Sequence, residues 1–272
     1  MSSTPDRMQL QRFELKYIVN ENVALATRNF VSSYLEIDEY GATRPNLSYP
    51  VHSLYLDSDI LTLYWHTING NKNRYKLRLR FYENRPTAPV YFEIKRRMND
   101  AILKQRGAVH RDAVELVLAG QLPEMQHMVS NEPKNLLAVQ RFSQLMLEHC
   151  AKPRAHVSYL REAWISPRDN SIRVTMDRKV HCSPEFTARL EPEDRNLTPV
   201  FGNKVILELK FSGRFPDWFR ELVRLFGLAQ CSAAKYADGI ALLGENHFSR
   251  ATRGVEQMEK VIARKAFLEK AV

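Results

Sequence analysis

Cysteine is nearly absent from this 272-residue chain. Its three cysteines, Cys150, Cys182 and Cys231, form no C-x-x-C pair, so neither a disulfide framework nor a cysteine zinc site is suggested. No run approaches the roughly 18 apolar residues of a membrane span. Met1 to Gln11 has no apolar h-region of a signal peptide. These absences predict a cytoplasmic protein, or the soluble part of a membrane-associated assembly. No G-x-x-x-x-G-K-S/T or G-x-G-x-x-G loop is present, which argues against P-loop and Rossmann nucleotide binding. The eight histidines show no H-E-x-x-H or other metal spacing, so they read as structural or surface residues. No low-complexity tract, fixed-period repeat or long Gly/Ser linker divides the chain. One domain over residues 1–272 is expected, with a core at about 10–240 and a helical extension at about 241–272.

What is present is positive charge in a pattern. The chain is 44% hydrophobic, enough for a core, and 26% charged, ordinary for a soluble protein. A formal net charge of +9 and a pI near 9.5 favour an anionic partner: nucleic acid, a membrane surface or phosphates. From Lys72 to Tyr82 the residues Lys72, Arg74, Lys76, Arg78 and Arg80 fall at every second position, with Tyr75, Leu77, Leu79 and Phe81 between. Successive side chains of a strand point to opposite faces, so this segment has one basic and one apolar face. Like-charge repulsion opposes such a face, and an anion explains it.

Strands are expected at 12–19, 49–56, 72–83, 90–97, 101–106, 154–163, 171–177 and 204–211. Helices are expected from the Asn20 cap to about Leu35, from the Asp57 cap through Ser58 to Ile68, at Arg111–Ala119 and at Lys134–His149. Others follow Pro216, span Ser232 to Leu243, and run from Val255 to Leu268. About eight strands with helices at the breaks predict an α+β fold, an antiparallel barrel or strongly curved sheet with helices packed outside.

The alternation recurs. Arg12, Glu14 and Lys16 share a face, as do Tyr91, Glu93, Lys95 and Arg97. Tyr159 and Arg161 share another, then Arg173, Thr175 and Asp177, then Glu208 and Lys210 with Ile206. Helices over the apolar faces leave a charged interior of Arg, Lys and Glu. Arg offers planar bidentate contact to phosphate oxygens and Lys a compact point charge. Carboxylates repel phosphate directly, but they make sense as ligands of a divalent cation that bridges to it. Two plainer explanations stand beside this one: a solvated face of a half-exposed sheet, and mutual salt bridges of Glu14, Glu93 and Glu208 with nearby cations. Nucleic acid is disfavoured, because the basic residues lie on strand faces among carboxylates rather than on an exposed helix or loop.

The ordered set Arg12-Phe-Glu14-Leu-Lys16-Tyr17, Ser53-Leu-Tyr55-Leu-Asp57, Arg78-Leu-Arg80-Phe-Tyr82, Glu93-Ile-Lys95, Tyr159-Leu-Arg161, Arg173-Val-Thr175-Met-Asp177, Glu208-Leu-Lys210-Phe211 and Lys235-Tyr236 resembles the VTC domain of polyphosphate polymerases. That group sits within the triphosphate tunnel metalloenzyme, or CYTH-like, superfamily. The resemblance spans about residues 10–240 and implies an eight-stranded antiparallel tunnel with a basic, metal-containing interior. It implies transfer of the ATP γ-phosphate onto inorganic polyphosphate, with Mn2+ or Mg2+. By motif, Lys16, Arg78, Arg80, Lys95, Arg161, Arg173 and Lys235 bind phosphate. Arg12, Lys104 and Tyr159 are further substrate contacts. Glu208 is the principal metal ligand, and Glu14, Glu93 and Asp177 are secondary candidates.

Two departures bear on the chemistry. Hydrolytic tunnel enzymes commonly open with E-x-E-x-K, and Arg12 stands at the first Glu position here, which favours the polymerase. Ala234 stands where the VTC group often has Ser before the late Lys-Tyr, which removes one phosphate hydrogen bond. No regulatory SPX-like domain or membrane segment is evident, as in a standalone bacterial-type version, so a membrane-protein partner for the product is left open. The rival functions are a metal-dependent triphosphatase or nucleotide phosphohydrolase, and a non-catalytic polyphosphate-binding module.

Overall fold

Alternation alone is enough to build the first strand, and the structure, a computed structural model, begins with it. Residues 12–99, 101–167, 171–191 and 197–250 are described; the expected helix at 255–268 lies outside them. In chain order the elements are β1 (Arg12–Val19), α1 (Glu21–Val31), β2 (Glu36–Ile37), α2 (Glu39–Ala42), β3 (Ser48–Asp57), α3 (Thr62–Ile68), β4 (Asn73–Phe81), β5 (Val90–Met98) and β6 (Ala101–Val109). They continue with α4 (Val114–Leu118), α5 (Pro133–Glu148), β7 (Lys152–Ile165), β8 (Ile172–Pro184), β9 (Thr198–Pro199), β10 (Val205–Ser212), α6 (Asp217–Leu225) and α7 (Lys235–Leu243).

The strands hydrogen-bond in the order β1-β10-β8-β7-β3-β4-β5-β6, with β2 on β7 and β9 on β8. This is an α+β arrangement, but β1 and β6 end the order and do not pair among the described residues. The sheet is open and ten-stranded, which corrects the expected closed barrel of eight. Eight long strands lie on the path; β2 and β9 are two residues each and carry no alternation to read. Closure requires the first and last strands to share a ladder, and no local pattern reports that. Exposed Lys104, Gln105 and Arg106 give β6 the kind of charged edge that resists further pairing.

Among the described residues the chain divides into two compact units. The first holds 12–49, 160–167, 171–179 and 201–233; the second holds 50–99, 101–159, 180–191, 197–200 and 234–250. In the first unit, β10 pairs antiparallel with β1 and β8, placing Leu15 opposite Leu209 and Leu209 opposite Val174. This apolar face is covered by Ala24 and Val31 of α1 and by Phe219 and Leu222 of α6. The Asn20 side chain caps α1 as expected, accepting from Val23 N at 2.9 Å, which satisfies one orphan donor of its first turn.

In the second unit Leu54 and Leu56 of β3 lie opposite Leu79 and Leu77 of β4, which lie opposite Phe92 and Ile94 of β5. α5 starts at Pro133 and buries Ala138, Val139, Phe142, Leu145 and Met146, one stripe of a 3.6-residue period. It packs on β5 and β6, with Phe142 edge-on to Phe92 at 5.0 Å. Each such fully buried side chain contributes about 1.5–3 kcal/mol. Gly107 permits the approach: a Cβ there would lie 2.4 Å from Asn135 O and 2.6 Å from Val139 Cγ2. In both units, helices cover the apolar face.

Candidate active site

The polar face of the second unit is set by register. Lys76 lies opposite Lys95 and Lys95 opposite Lys104; Arg78 lies opposite Glu93 and Glu93 opposite Arg106. Ser53 and Tyr55 lie opposite Arg80 and Arg78. Lys76, Arg78, Arg80, Lys95, Lys104 and Arg106 of β4, β5 and β6 therefore share this face with the one carboxylate of those three strands, Glu93. That carboxylate is 1% exposed and is held on all sides. Arg78 Nε and Nη2 reach Oε2 at 2.8 and 2.7 Å, and Lys104 Nζ reaches Oε1 at 2.7 Å. Arg80 Nε and Arg106 Nη1 stand 3.8 Å away. Burial pushes the Glu93 carboxyl up, but Arg78, Arg80 and Lys104 more than offset it and hold it well below the usual carboxylate range. Glu93 is ionised whenever the protein is folded near neutral pH.

Each arginine also bonds a phenol. Arg78 Nη1 donates to Tyr55 Oη at 3.1 Å, and Arg80 Nη2 donates to Tyr159 Oη at 3.1 Å and Ser53 Oγ at 3.3 Å. The buried Nε of Arg80 has no hydrogen-bond partner, an open donor beside Glu93. Lys235, the first residue of α7, places its ammonium 5.0 Å from the Tyr159 ring centroid. Burial pushes the Tyr55 phenol up, yet Arg78, Arg80 and Lys235 bring it below its ordinary value. This face is rich enough in positive charge to favour anionic oxygen even on a phenol.

The polar face of the first unit is more evenly charged. Glu14 lies opposite Lys210 and Lys210 opposite Arg173; Lys16 lies opposite Glu208 and Glu208 opposite Thr175. Arg161 forks onto Asp177 with two bonds of 2.7 Å and stands 3.6 Å from Glu208. Arg173 Nη2 donates to Asp38 at 2.8 Å. Glu208 accepts from Lys210 at 2.5 Å and from Thr175 at 3.2 Å. Burial brings the Lys210 amine down to about 8, against the pull of Glu208 and with a push from Arg161.

The fit of a divalent cation turns on Glu14 and Glu208. Lys16 Nζ is 3.2 Å from Glu14 Oε1 and 3.8 Å from Glu208 Oε1. One ammonium thus lies between two carboxylates, so these oxygens can share a cation. Mg2+ and ions like it are commonly bound by one or two carboxylates, with substrate phosphate and water completing the shell. No group of three or more His, Cys, Asp or Glu residues is placed to hold a metal among the described residues. The donor set fits a phosphate-bridged cation rather than an all-protein cage.

The VTC domain family matches residues 11–244. The chain belongs to the VTC domain family. A solved structure from Bacillus halodurans, provisionally described as an adenylate cyclase, is 17% identical with a TM-score of 0.44, covering 83% of this chain and 94% of its own. A likeness at that level carries no inference about activity. No curated protein sequence matches.

Within this VTC chain the residues picked from sequence fall into two groups by unit. Glu14, Lys16, Arg161, Arg173, Asp177 and Glu208 gather on the first, and Arg78, Arg80, Glu93, Lys95, Lys104, Tyr159 and Lys235 on the second. Arg12 takes its place in β1 opposite Ser212; its side chain lies outside what is described. Sequence reasoning left Tyr55, Lys210, Arg106 and Asp38 unassigned. Lys210 was legible, two residues beyond Glu208 on the same strand face. Asp38 was not, since it reaches Arg173 from the loop before α2. Asp57, expected to cap a helix from Ser58, instead serves one that starts at Thr62: its carboxylate accepts from Ser58, Leu63 and Tyr64 N at 2.7–2.8 Å.

A second ionic cluster sits on the opposite face of β7. The fully buried Glu162 carboxylate accepts from Arg28, Arg178 and Trp164 at 2.7–2.8 Å. Arg28 lies on α1, so this cluster ties that helix to the sheet and stands apart from the candidate site.

Proposed function

We propose that this VTC chain is a metal-dependent polyphosphate polymerase that moves the γ-phosphoryl group of ATP onto a growing inorganic polyphosphate chain. The division of charge between the two polar faces carries this reading. Carboxylates concentrate on the first unit's face with about as many cations, as metal-linked phosphate binding requires. On the second unit's face, β4, β5 and β6 set six Arg and Lys residues against a single carboxylate of those strands, Glu93, as a bare polyanion requires.

Arg78, Arg80, Lys95, Lys104 and Lys235 then bind phosphate oxygens, with Tyr159 holding Arg80 and facing Lys235. Lys16, Arg161, Arg173 and Lys210 do the same on the first unit, with Arg12 as a further contact. Glu208 and Glu14 would hold Mn2+ or Mg2+. When bound, that ion would neutralise phosphate charge and act as a Lewis acid on the transferred group. Glu93 and Asp177 are better read as counter-ions that orient Arg78 and Arg161, because those forks already close on them.

In the transfer, a terminal oxygen of the acceptor chain bonds to the γ-phosphorus. The bond from that phosphorus to the β,γ-bridging oxygen breaks, and ADP leaves with the electron pair. The acceptor oxygen is already ionised near neutral pH, so positioning and charge stabilisation suffice and no strong general base is needed. We place the protein in the cytoplasm, with a membrane protein as a partner for the product. Among the described residues no helix is long and apolar enough to cross a membrane.

Incubation with ATP and Mn2+, followed by a gel stained for polyphosphate and an ADP assay, tests the proposal. Polymer with ADP supports it. Free phosphate with ADP makes the protein a triphosphatase, and binding without turnover makes it a polyphosphate-binding module.

A further inference from the structure

Lys235 occupies an awkward position for a phosphate-binding group. It is the first residue of α7, where the positive end of a helix dipole disfavours a cation. The preceding residue, Ala234, makes no side-chain cap; its N–H instead donates to Asp238 Oδ2 at 2.7 Å. Farther along, Gly239 packs so close to Cys182 that a Cβ would lie 2.7 Å from its Sγ, which anchors the body of the helix. The first turn, which carries the functional lysine, needs its own tie, because uncapped helix ends fray.

Tyr236 supplies that tie. Its hydroxyl donates to Asp57 Oδ2 at 2.8 Å, and both residues are buried. With the three backbone N–H groups of Ser58, Leu63 and Tyr64, the Asp57 carboxylate has four donors, the full number of its lone-pair sites. The Tyr236 ring stacks on Tyr55 at 4.6 Å and 13°, and Tyr55 accepts from Arg78. Its neighbour Lys235 lies over Tyr159, which accepts from Arg80. The pair Lys235-Tyr236 thus touches the phenol partner of each arginine.

We infer that Tyr236, fixed by the buried Asp57 carboxylate, is the positioning residue that sets Lys235 for phosphate binding. Tyr236 does not itself face the ligand; it acts through the residues it holds. This inference rests on the proposed phosphate-binding role of the face. It goes beyond it by naming how the late lysine is held and by tying the Asp57 and Lys235-Tyr236 segments into one device.

The test measures tripolyphosphate affinity by calorimetry, and melting temperature without ligand, for the wild type, Tyr236→Phe, Lys235→Ala and the double variant. Tyr236→Phe keeps the ring stack and removes only the hydroxyl. Misplacement of a binding group by an ångström can cost on the order of 100-fold, and a loss of about tenfold or more is expected for Tyr236→Phe. In the Lys235→Ala background the same change should add less than about twofold, because residues acting through one another are not additive. A merely structural tyrosine would lower the melting temperature equally in both backgrounds and leave affinity unchanged, which overturns the inference. Full multiplication of the two losses overturns it as well. Wild-type protein that ignores tripolyphosphate brings down the phosphate reading and this inference together, whereas wild-type binding with an unaffected Tyr236→Phe brings down the inference alone.

Discussion

Glu93→Gln is the substitution whose consequence the structure states most sharply. It removes one negative charge, keeps the shape, and leaves four cations within 3.8 Å of the vacated charge. Breaking a buried pair by neutralising one partner costs about 3–5 kcal/mol. The lower end applies here, because Gln still accepts from Arg78 and because Lys104 and Arg106 are half exposed. A loss of about 3 kcal/mol corresponds to a fall in melting temperature of roughly 6–12 °C for a chain of this size. A polyanion should reverse it: a ligand at 100 times its Kd returns about 2.7 kcal/mol, and in the variant it also meets unpaired cations. The ligand-induced rise in melting temperature should therefore be larger in Glu93→Gln than in the wild type. The pH dependence follows from the depressed carboxyl. A carboxylate held below its unfolded value contributes stability above about pH 4.5 and loses it as pH falls further. The wild type should thus show an acid limb that the variant lacks. Thermal melts from pH 3 to pH 7, with and without tripolyphosphate, measure all of this. Equal melting temperatures and equal ligand shifts in the two proteins would refute the counter-ion role.

Three further variants probe other parts of the account. Arg80→Ala removes donors to two neutral hydroxyls and one of the four cations around Glu93, and should cost about 2–3 kcal/mol of stability while lowering turnover about 100-fold; a collapse of the fold with it would make Arg80 structural. Glu208→Gln should abolish the dependence of rate on Mn2+ while leaving tripolyphosphate affinity equal or higher, and an unchanged metal titration would move the ligand role to Glu14. His52 and His156 stack at 5.4 Å, and burial first, then Arg111 for His52 and His52 for His156, brings each to about 4. Because the unfolded imidazoles bind protons near 6.5, stability is complete above that pH and falls towards pH 4, by at most about 3 kcal/mol per ring. His52→Phe with His156→Phe should flatten urea-unfolding stability across that window, and an unaltered slope would show the rings to be solvated.

The candidate site was legible wherever its logic is local. Period-two alternation marked the polar faces of β1, β4, β5, β8 and β10, because a half-buried strand must alternate. The apolar partner residues, such as Leu77 and Leu79, predicted helices over those faces, and α5 and α6 are there. What alternation cannot carry is pairing. That Lys76, Lys95 and Lys104 stand in one row across three strands, or that Glu93 gathers four cations, depends on register. Closure was over-read for the same reason, since no single strand records whether β1 meets β6. The Asp57–Tyr236 bond joins residues 179 positions apart. Each end looked ordinary in sequence, a turn aspartate and an aromatic residue beside a lysine. Glu162 was invisible because it alternates out of step with Arg161, on the face expected to be apolar.

The most direct measurement follows the terminal phosphate itself. ATP labelled at its γ-phosphorus is incubated with the protein and Mn2+, and the products are separated by size. The account predicts label in chains longer than triphosphate, with one ADP released per label incorporated, and loss of both in Arg78→Ala. Label recovered only as orthophosphate, with ADP released at the same rate, would contradict it.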